Sequence, residues 1–429
     1  MHLCVNFPKL GLNWMSCATG ASLDGAHFLT KAPENAAPHT PRVALFGALA
    51  PRPPLGASLA THRAGARGFC FWWVACADRC ARCASFRLWN GAFSPRERYT
   101  REDIQHVVAF AREHGVRVMV EIDIPGHAAS WCTGYPEVCP SAACNQPLNV
   151  ASNETYKVID DILAELLAAT TTTTTTTTGA GGVNGVDRNG GAGTSDHGRQ
   201  QPNDKLAHAH VGPLFPYELV HLGGDEVEYD CWSSHPTIIG WLAARGMSPQ
   251  DGYGHMVRHA AAGARKHGRR PVHWDEVWTH FRNRLAKSTV IHVWTRKAVL
   301  VEVVRSGFHA ILSSYNAPGS WYLDLDTTTW HGAYGNEPCD GLTQDECAMV
   351  LGGQGQLWGE LVDISNLEAK MWPRLAAIAE RLWSPRAKLG TARDATARLI
   401  AFRCLLVLRG VGTAPVTSAS PQAPGSCYQ

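Results

Sequence analysis

Short apolar runs alternate with amphipathic stretches along this chain, and most of the apolar runs end in an acid or an aromatic residue. Six runs read as strands: 116–124, 219–222, 271–274, 289–294, 309–315 and 351–360. Between them lie residues at helical spacing. Ile104, Val107, Val108 and Ala111 follow a Thr100/Asp103 capping box and stop at Gly115. Val158, Ile162, Leu163 and Leu166 share one face of a helix over 154–168. Further helices are expected over 237–245, 254–267, 298–306, 371–383 and 392–409. Strands alternating with helices predict a parallel α/β architecture. Polar and aromatic residues gathered at strand carboxyl ends predict a (β/α)8 barrel of TIM type with its site on that face. Six of eight strands are recognisable, so the barrel is read as incomplete.

Composition sets outer limits. The 429 residues suffice for one large barrel with additional material, and 45% hydrophobic against 18% charged residues excludes global disorder. A net charge of +2 argues against a nucleic-acid or membrane-surface binder, and no apolar run reaches membrane-span length. Fourteen cysteines exceed what a reducing compartment usually tolerates, although residues 1–18 lack a signal-peptide pattern. Residues 1–88 read as an irregular segment, 89–415 as the barrel domain, and 416–429 as a tail. The barrel is interrupted over 170–204 by a threonine tract and a Gly/Asn/Ser-rich stretch, a low-complexity insert with too little apolar surface to offset chain entropy.

The run from Tyr217 leads through Leu219, Val220 and Leu222 to Gly223-Gly224 and then to Asp225-Glu226. Two acids at the end of a buried strand cost desolvation energy unless paired, hydrated or working. An Asp-Glu doublet alone reads more simply as a polar turn. The other strand ends change that reading: Asp123 and His127; Trp274, Asp275 and Glu276; Trp294; Tyr315; Trp358 and Glu360. Tryptophan faces stack on sugar C–H surfaces, while carboxylates bind hydroxyls and supply a general acid. Adjacent strand residues point to opposite faces, so Asp225 and Glu226 cooperate only if the strand ends at the glycines. Each residue also has a plainer reading. His127 suits a core histidine, Trp294 and Trp358 suit barrel packing, Glu276 suits a surface or supporting acid, and His208 with His210 suits a loop. Cys76, Cys80 and Cys83 have the C-x3-C-x2-C spacing of a radical-SAM iron–sulfur site, without the flanking residues that usually accompany it.

His221-Leu222-Gly223-Gly224-Asp225-Glu226-Val227 resembles the signature of family 20 glycoside hydrolases, the β-N-acetylhexosaminidases. So do Arg98-Tyr99-Thr100, the run from Glu121 to His127 with Trp131, Trp274 to Val277, Trp321-Tyr322-Leu323-Asp324, Leu357 to Glu360, and Trp372-Pro373-Arg374 through Trp383. The matches keep family order from about Gly91 to Cys427. The resemblance implies hydrolysis of terminal non-reducing N-acetylhexosamines by a substrate-assisted retaining mechanism, with neither cofactor nor metal. It implies Glu226 as general acid and base, and Asp225 as the group holding the 2-acetamido N–H. Tyr322 would bind the acetamido carbonyl, Trp274, Trp294 and Trp358 would wall the pocket, and Asp324 and Glu360 would bind outer hydroxyls. His127, steered by Asp123, would support Glu226. Asp324-Leu325 is similar to members that favour neutral over sulfated sugars.

The resemblance further implies a Cys404–Cys427 pair and a pairing of Cys231 with Cys139 or Cys144. Together with the Asn153-Glu154-Thr155 sequon, these imply an oxidising lumen: lysosomal, vacuolar or secreted. The implied partner is a glycan ending in N-acetylhexosamine, with a homodimer in keeping with relatives. Two strands that the family carries before Gly91 are not recognisable in residues 1–90. That gap predicts an altered N-terminus and low or absent turnover by the chain as written, or a relative that binds sugar without cleaving it.

Overall fold

The computed structural model describes residues 4–8, 14–16, 88–92, 99, 101–168, 212–316, 319–417 and 427. Its centre is a parallel sheet of β3 (Leu219–His221), β4 (Arg270–Trp274), β5 (Val290–Val293), β6 (His309–Leu312) and β7 (Val350–Gly355). Neighbours in sequence are neighbours in space, as β–α–β connections require. The run 116–124 lies outside β3. It bridges in parallel at Glu121 and His221, and Ile122 N–H donates to His221 O while His221 N–H donates to Val120 O, both at 2.9 Å. All six expected runs therefore stand side by side in one curled sheet, an incomplete α/β barrel.

The N-terminal segment, read as irregular, contributes two short strands. β1 (Cys4–Pro8) pairs antiparallel with β7, and β2 (Trp14–Ser16) pairs antiparallel with β1. The whole 170–204 insert with its threonine tract, the Cys76/Cys80/Cys83 spacing, Arg98, Thr100, His208 and His210 lie outside the described residues.

The barrel interior is layered. Met119, Leu219, Val272, Val290, Ile311 and Leu351, one from each run, form an apolar floor. Two residues further along the first four runs come Glu121, His221, Trp274 and His292, because side chains repeat on one face every second residue. On the outside, Asn153–Leu167 and Pro249–Lys266 pack on the first strands, and Lys297–Arg305 and Arg374–Trp383 on the later ones.

The helix expected over 254–267 begins earlier, at Pro249. Ser248 and Asp251 form a capping box there, and proline fits a first helical turn. The helix expected over 371–383 is two helices, Leu367–Met371 and Arg374–Trp383, because Pro373 cannot continue the first. Four disulfides occur among the described residues: Cys132–Cys139, Cys144–Cys231, Cys339–Cys347 and Cys404–Cys427. Cys231 thus takes Cys144, and Cys139 is held by its near neighbour Cys132.

Candidate active site

Past His221 the chain leaves the strand. Gly223 and Gly224 have φ of +58° and +98°, and Glu226 has φ +46°. Glycine adopts these angles freely, whereas in Glu226 they cost about 1 kcal/mol or more. A Cβ at Gly223 would overlap the Asp123 carboxylate, and one at Gly224 would overlap Val277. The turn is pinned by Gly224 N–H donating to Asp123 Oδ1 at 2.9 Å and by the Tyr253 hydroxyl donating to Gly224 O.

Because the strand has ended, Asp225 and Glu226 do not diverge. Both reach one nitrogen: His127 Nε2 lies 3.3 Å from Asp225 Oδ2 and 3.8 Å from Glu226 Oε2. His127 is itself left-handed at φ +51°. Its distance to Asp123 is 3.8 Å, so Asp225 is its nearer partner and Asp123 chiefly holds the glycine turn. Hydrogen bonding to Asp225, with the charges of Asp123, Asp225 and Glu226, pushes the imidazole up to about 10 against the opposing effect of burial. Burial and the charge of Asp225 raise Asp123 well above the usual carboxyl range. The other Asp225 oxygen, Oδ1, is buried with no hydrogen-bond partner among the described residues. Asp123, His127 and Asp225 are close enough to share an ion. With its proton retained, His127 is a cation between carboxylates.

The aromatic residues singled out from the sequence form one continuous lining. Ring centroids are 6.2 Å apart for Trp274 and Trp358, 6.4 Å for Trp358 and Tyr322, and 6.3 Å for Tyr322 and Trp294. Tyr315 stands edge-on to both Trp294 and Tyr322 and remains exposed. Asp324 is buried beneath this lining, and burial pushes its carboxyl up to about 6. It accepts the Trp358 backbone N–H, while its Oδ1 has no partner among the described residues. Glu360 is exposed near Asp324, close enough for its charge to be felt there.

Two acids escaped assignment in the sequence. Glu121 Oε1 accepts Trp274 Nε1–H at 2.9 Å. Glu276, set aside as a supporting acid, accepts Trp294 Nε1–H at 3.1 and 2.9 Å on its two oxygens. Burial pushes both up to about 8, with Asp225 adding to each. Nothing local marks them, since their partners lie 153 and 18 residues away. Below Trp274, Gly223 N–H donates to His221 Nδ1, so His221 carries its proton on Nε2 and donates to His292 Nδ1 at 3.2 Å. His292 stacks on Trp274 at 4.2 Å, and its Nε2 is buried without a partner among the described residues.

Paired carboxylates, an imidazole between them and a wall of indoles, all at strand carboxyl ends, define an α/β-barrel protein with its candidate site on that face. The sequence matches the family described as glycosyl hydrolase family 20, catalytic domain, over residues 82–185 and 207–386. It is 38% identical over 346 residues to Beta-hexosaminidase 3 of Arabidopsis thaliana, covering 80% of this chain and 56% of that relative. It is 31% identical over 345 residues to Beta-hexosaminidase subunit beta of Homo sapiens, covering 76% and 52%. Its fold resembles Flavobacterium johnsoniae chitobiase with a TM-score of 0.58 at 26% identity, over 74% of this chain and 43% of that one. The Vibrio harveyi exo β-N-acetylglucosaminidase in complex with N-acetylglucosamine gives 0.59 at 26% identity, over 75% and 47%. The chain belongs to glycosyl hydrolase family 20. It spans about half the length of the curated relatives it matches.

Proposed function

We propose that the chain hydrolyses terminal non-reducing N-acetylglucosamine or N-acetylgalactosamine from glycoconjugates, using the substrate's own acetamido group as nucleophile. One observation carries the reading. Asp225 turns one oxygen to the charged His127 and leaves the other, Oδ1, buried and unshared beside Glu226. That oxygen suits an acetamido N–H. Once the N–H is held there, the acetamido carbonyl oxygen attacks the anomeric carbon as the bond to the leaving oxygen breaks. Glu226 gives that oxygen its proton. The oxazolinium cation so formed sits against the Asp225 carboxylate. Glu226, now ionised, takes a proton from the water that opens the ring, and the anomeric configuration is retained. His127 keeps the two acids apart in role, Tyr322 binds the acetamido carbonyl, and Trp274, Trp294 and Trp358 enclose the sugar. Asp324 and Glu360 accept its outer hydroxyls.

Within this reading, residues 89–415 are the catalytic domain. An oxidising compartment, a lysosome, vacuole or the exterior, suits the four disulfides. No described helix is long and apolar enough to cross a membrane. A homodimer is proposed by analogy with family members and is read by light scattering.

The test is release of p-nitrophenol from its N-acetylglucosaminide. E226Q is expected to lower kcat at least a hundredfold and D225A to abolish internal attack, with the neutral substrate preferred over its 6-sulfated form. Binding of N-acetylglucosamine without product release would instead identify a sugar-binding relative.

A further inference from the structure

Carboxyl groups hold two of the three wall tryptophans by the indole N–H, and they come from different strand ends. Glu121, on the run 116–124, reaches across β3 to Trp274 at the end of β4. Glu276, in the first turn of Asp275–Phe281, reaches to Trp294 past the end of β5. A helix N-terminus by itself favours an acid at position 276. It does not require that both carboxyl oxygens face one indole nitrogen, which they do.

The surroundings of each anchor fix more than one atom. Glu121 Oε1 also lies 3.3 Å from His221 Nδ1, the nitrogen that already accepts Gly223 N–H. Asp275, next to Glu276, accepts the Trp294 backbone N–H at 3.1 Å and the Thr295 hydroxyl. Trp294 is thus gripped at its backbone and at the far end of its ring by consecutive residues. Trp274 is gripped at Nε1 by Glu121 and on its face by His292. An indole has two side-chain torsions, so a bond at Nε1 and contact on one face leave the plane no freedom to swing.

We propose that Glu121 and Glu276 are positioning residues that set the planes of Trp274 and Trp294 so that the two rings can enclose an N-acetylhexosamine. The proposal rests on the reading of those tryptophans as sugar walls. Burial raises both acids to about 8, with the charge of Asp225 adding to each, which favours the protonated form beside Asp225. A glutamine keeps the accepting oxygen and the neutrality. A leucine keeps the bulk and removes the acceptor.

Two measurements on the full chain separate the anchors from the sugar site. Spectra of 15N-tryptophan-labelled protein, with signals assigned through W274F and W294F, report the indole hydrogen bonds with no sugar present. In E121L the Trp274 Nε1–H signal, and in E276L that of Trp294, is expected to move upfield and exchange with water at least tenfold faster. Titration with N-acetylglucosamine is expected to show about tenfold weaker binding in each leucine variant, the effect of one lost buried hydrogen bond. E121Q and E276Q are expected to regain most of both. Indole signals that stay in place in the leucine variants overturn the proposal, as does wild-type sugar affinity once the signals have moved. A wild-type chain that binds no sugar sinks the proposed function, while the spectra still decide whether the anchors exist. E276L alters a half-buried group at a helix start and serves as the judge should E121L fail to fold.

Discussion

At the scale of single residues, the site depends on backbone angles that most side chains avoid. Gly223 has φ +58° with the Asp123 carboxylate where its Cβ would be. Gly223→Ala is therefore expected to cost about 3 kcal/mol or more, read by denaturant unfolding. A loss under 1 kcal/mol would mean that the turn can rearrange. The glycine pair, the acidic doublet and His127 were legible in the sequence because they sit within a few residues of a strand end. Glu121 and Glu276 were not. Each is an unremarkable acid until the sheet brings an indole to it, and pairings between strands leave no mark of their own on a single sequence. Asp123, read as the support of His127, lies 3.8 Å from that imidazole and also accepts the Gly224 amide at 2.9 Å, a second contact that the sequence did not reveal.

At the scale of elements, hydrophobic spacing located the long helices and the six runs. It missed Ala129–Gly134, Trp330–Gly335 and Gln344–Ala348, which have five or six residues and too few turns to show a period. Helix starts were misplaced where a cap, not a hydrophobic stripe, sets the boundary, as at Ser248. The disulfide Cys144–Cys231 closes a loop with a sequence separation of 87 and joins the segment after His127 to the segment after Glu226. Cys144→Ser is expected to lower stability by about 4 kcal/mol, seen as a large fall in melting temperature under oxidising conditions. Cys339→Ser opens a separation of only 8 and is expected to cost less. Equal losses would show that loop length is not what these bonds act through.

At the scale of the whole molecule, proton uptake should set a narrow range of best stability. Glu121 and Glu276, pushed up to about 8, and the raised Asp123 keep protons in the fold that the unfolded chain releases above about pH 4.5. His127, pushed up to about 10, keeps one that the unfolded chain releases above 6.5. These groups make the native state the more protonated one, so their contribution to stability falls as pH rises. His221, His273 and His292 act in the opposite sense. Burial drives His221 well down, His273 to about 4 and His292 to about 3, so the unfolded chain takes up protons below 6.5 that the fold refuses. The melting temperature is therefore expected to peak between about pH 4.5 and 6.5 and to decline on both sides. A maximum at pH 8 would contradict the assignment.

His292 Nε2, buried against Trp274 with no partner among the described residues, carries a consequence for solvent. A buried ring N–H is expected to take its acceptor from an ordered water molecule. The layer of Trp274 and His292, one step above the apolar floor, is then expected to be hydrated, and some of its rigidity belongs to molecules that the chain does not encode. Such waters exchange slowly enough to register in magnetic relaxation dispersion, and replacing His292 with leucine should erase that slow component.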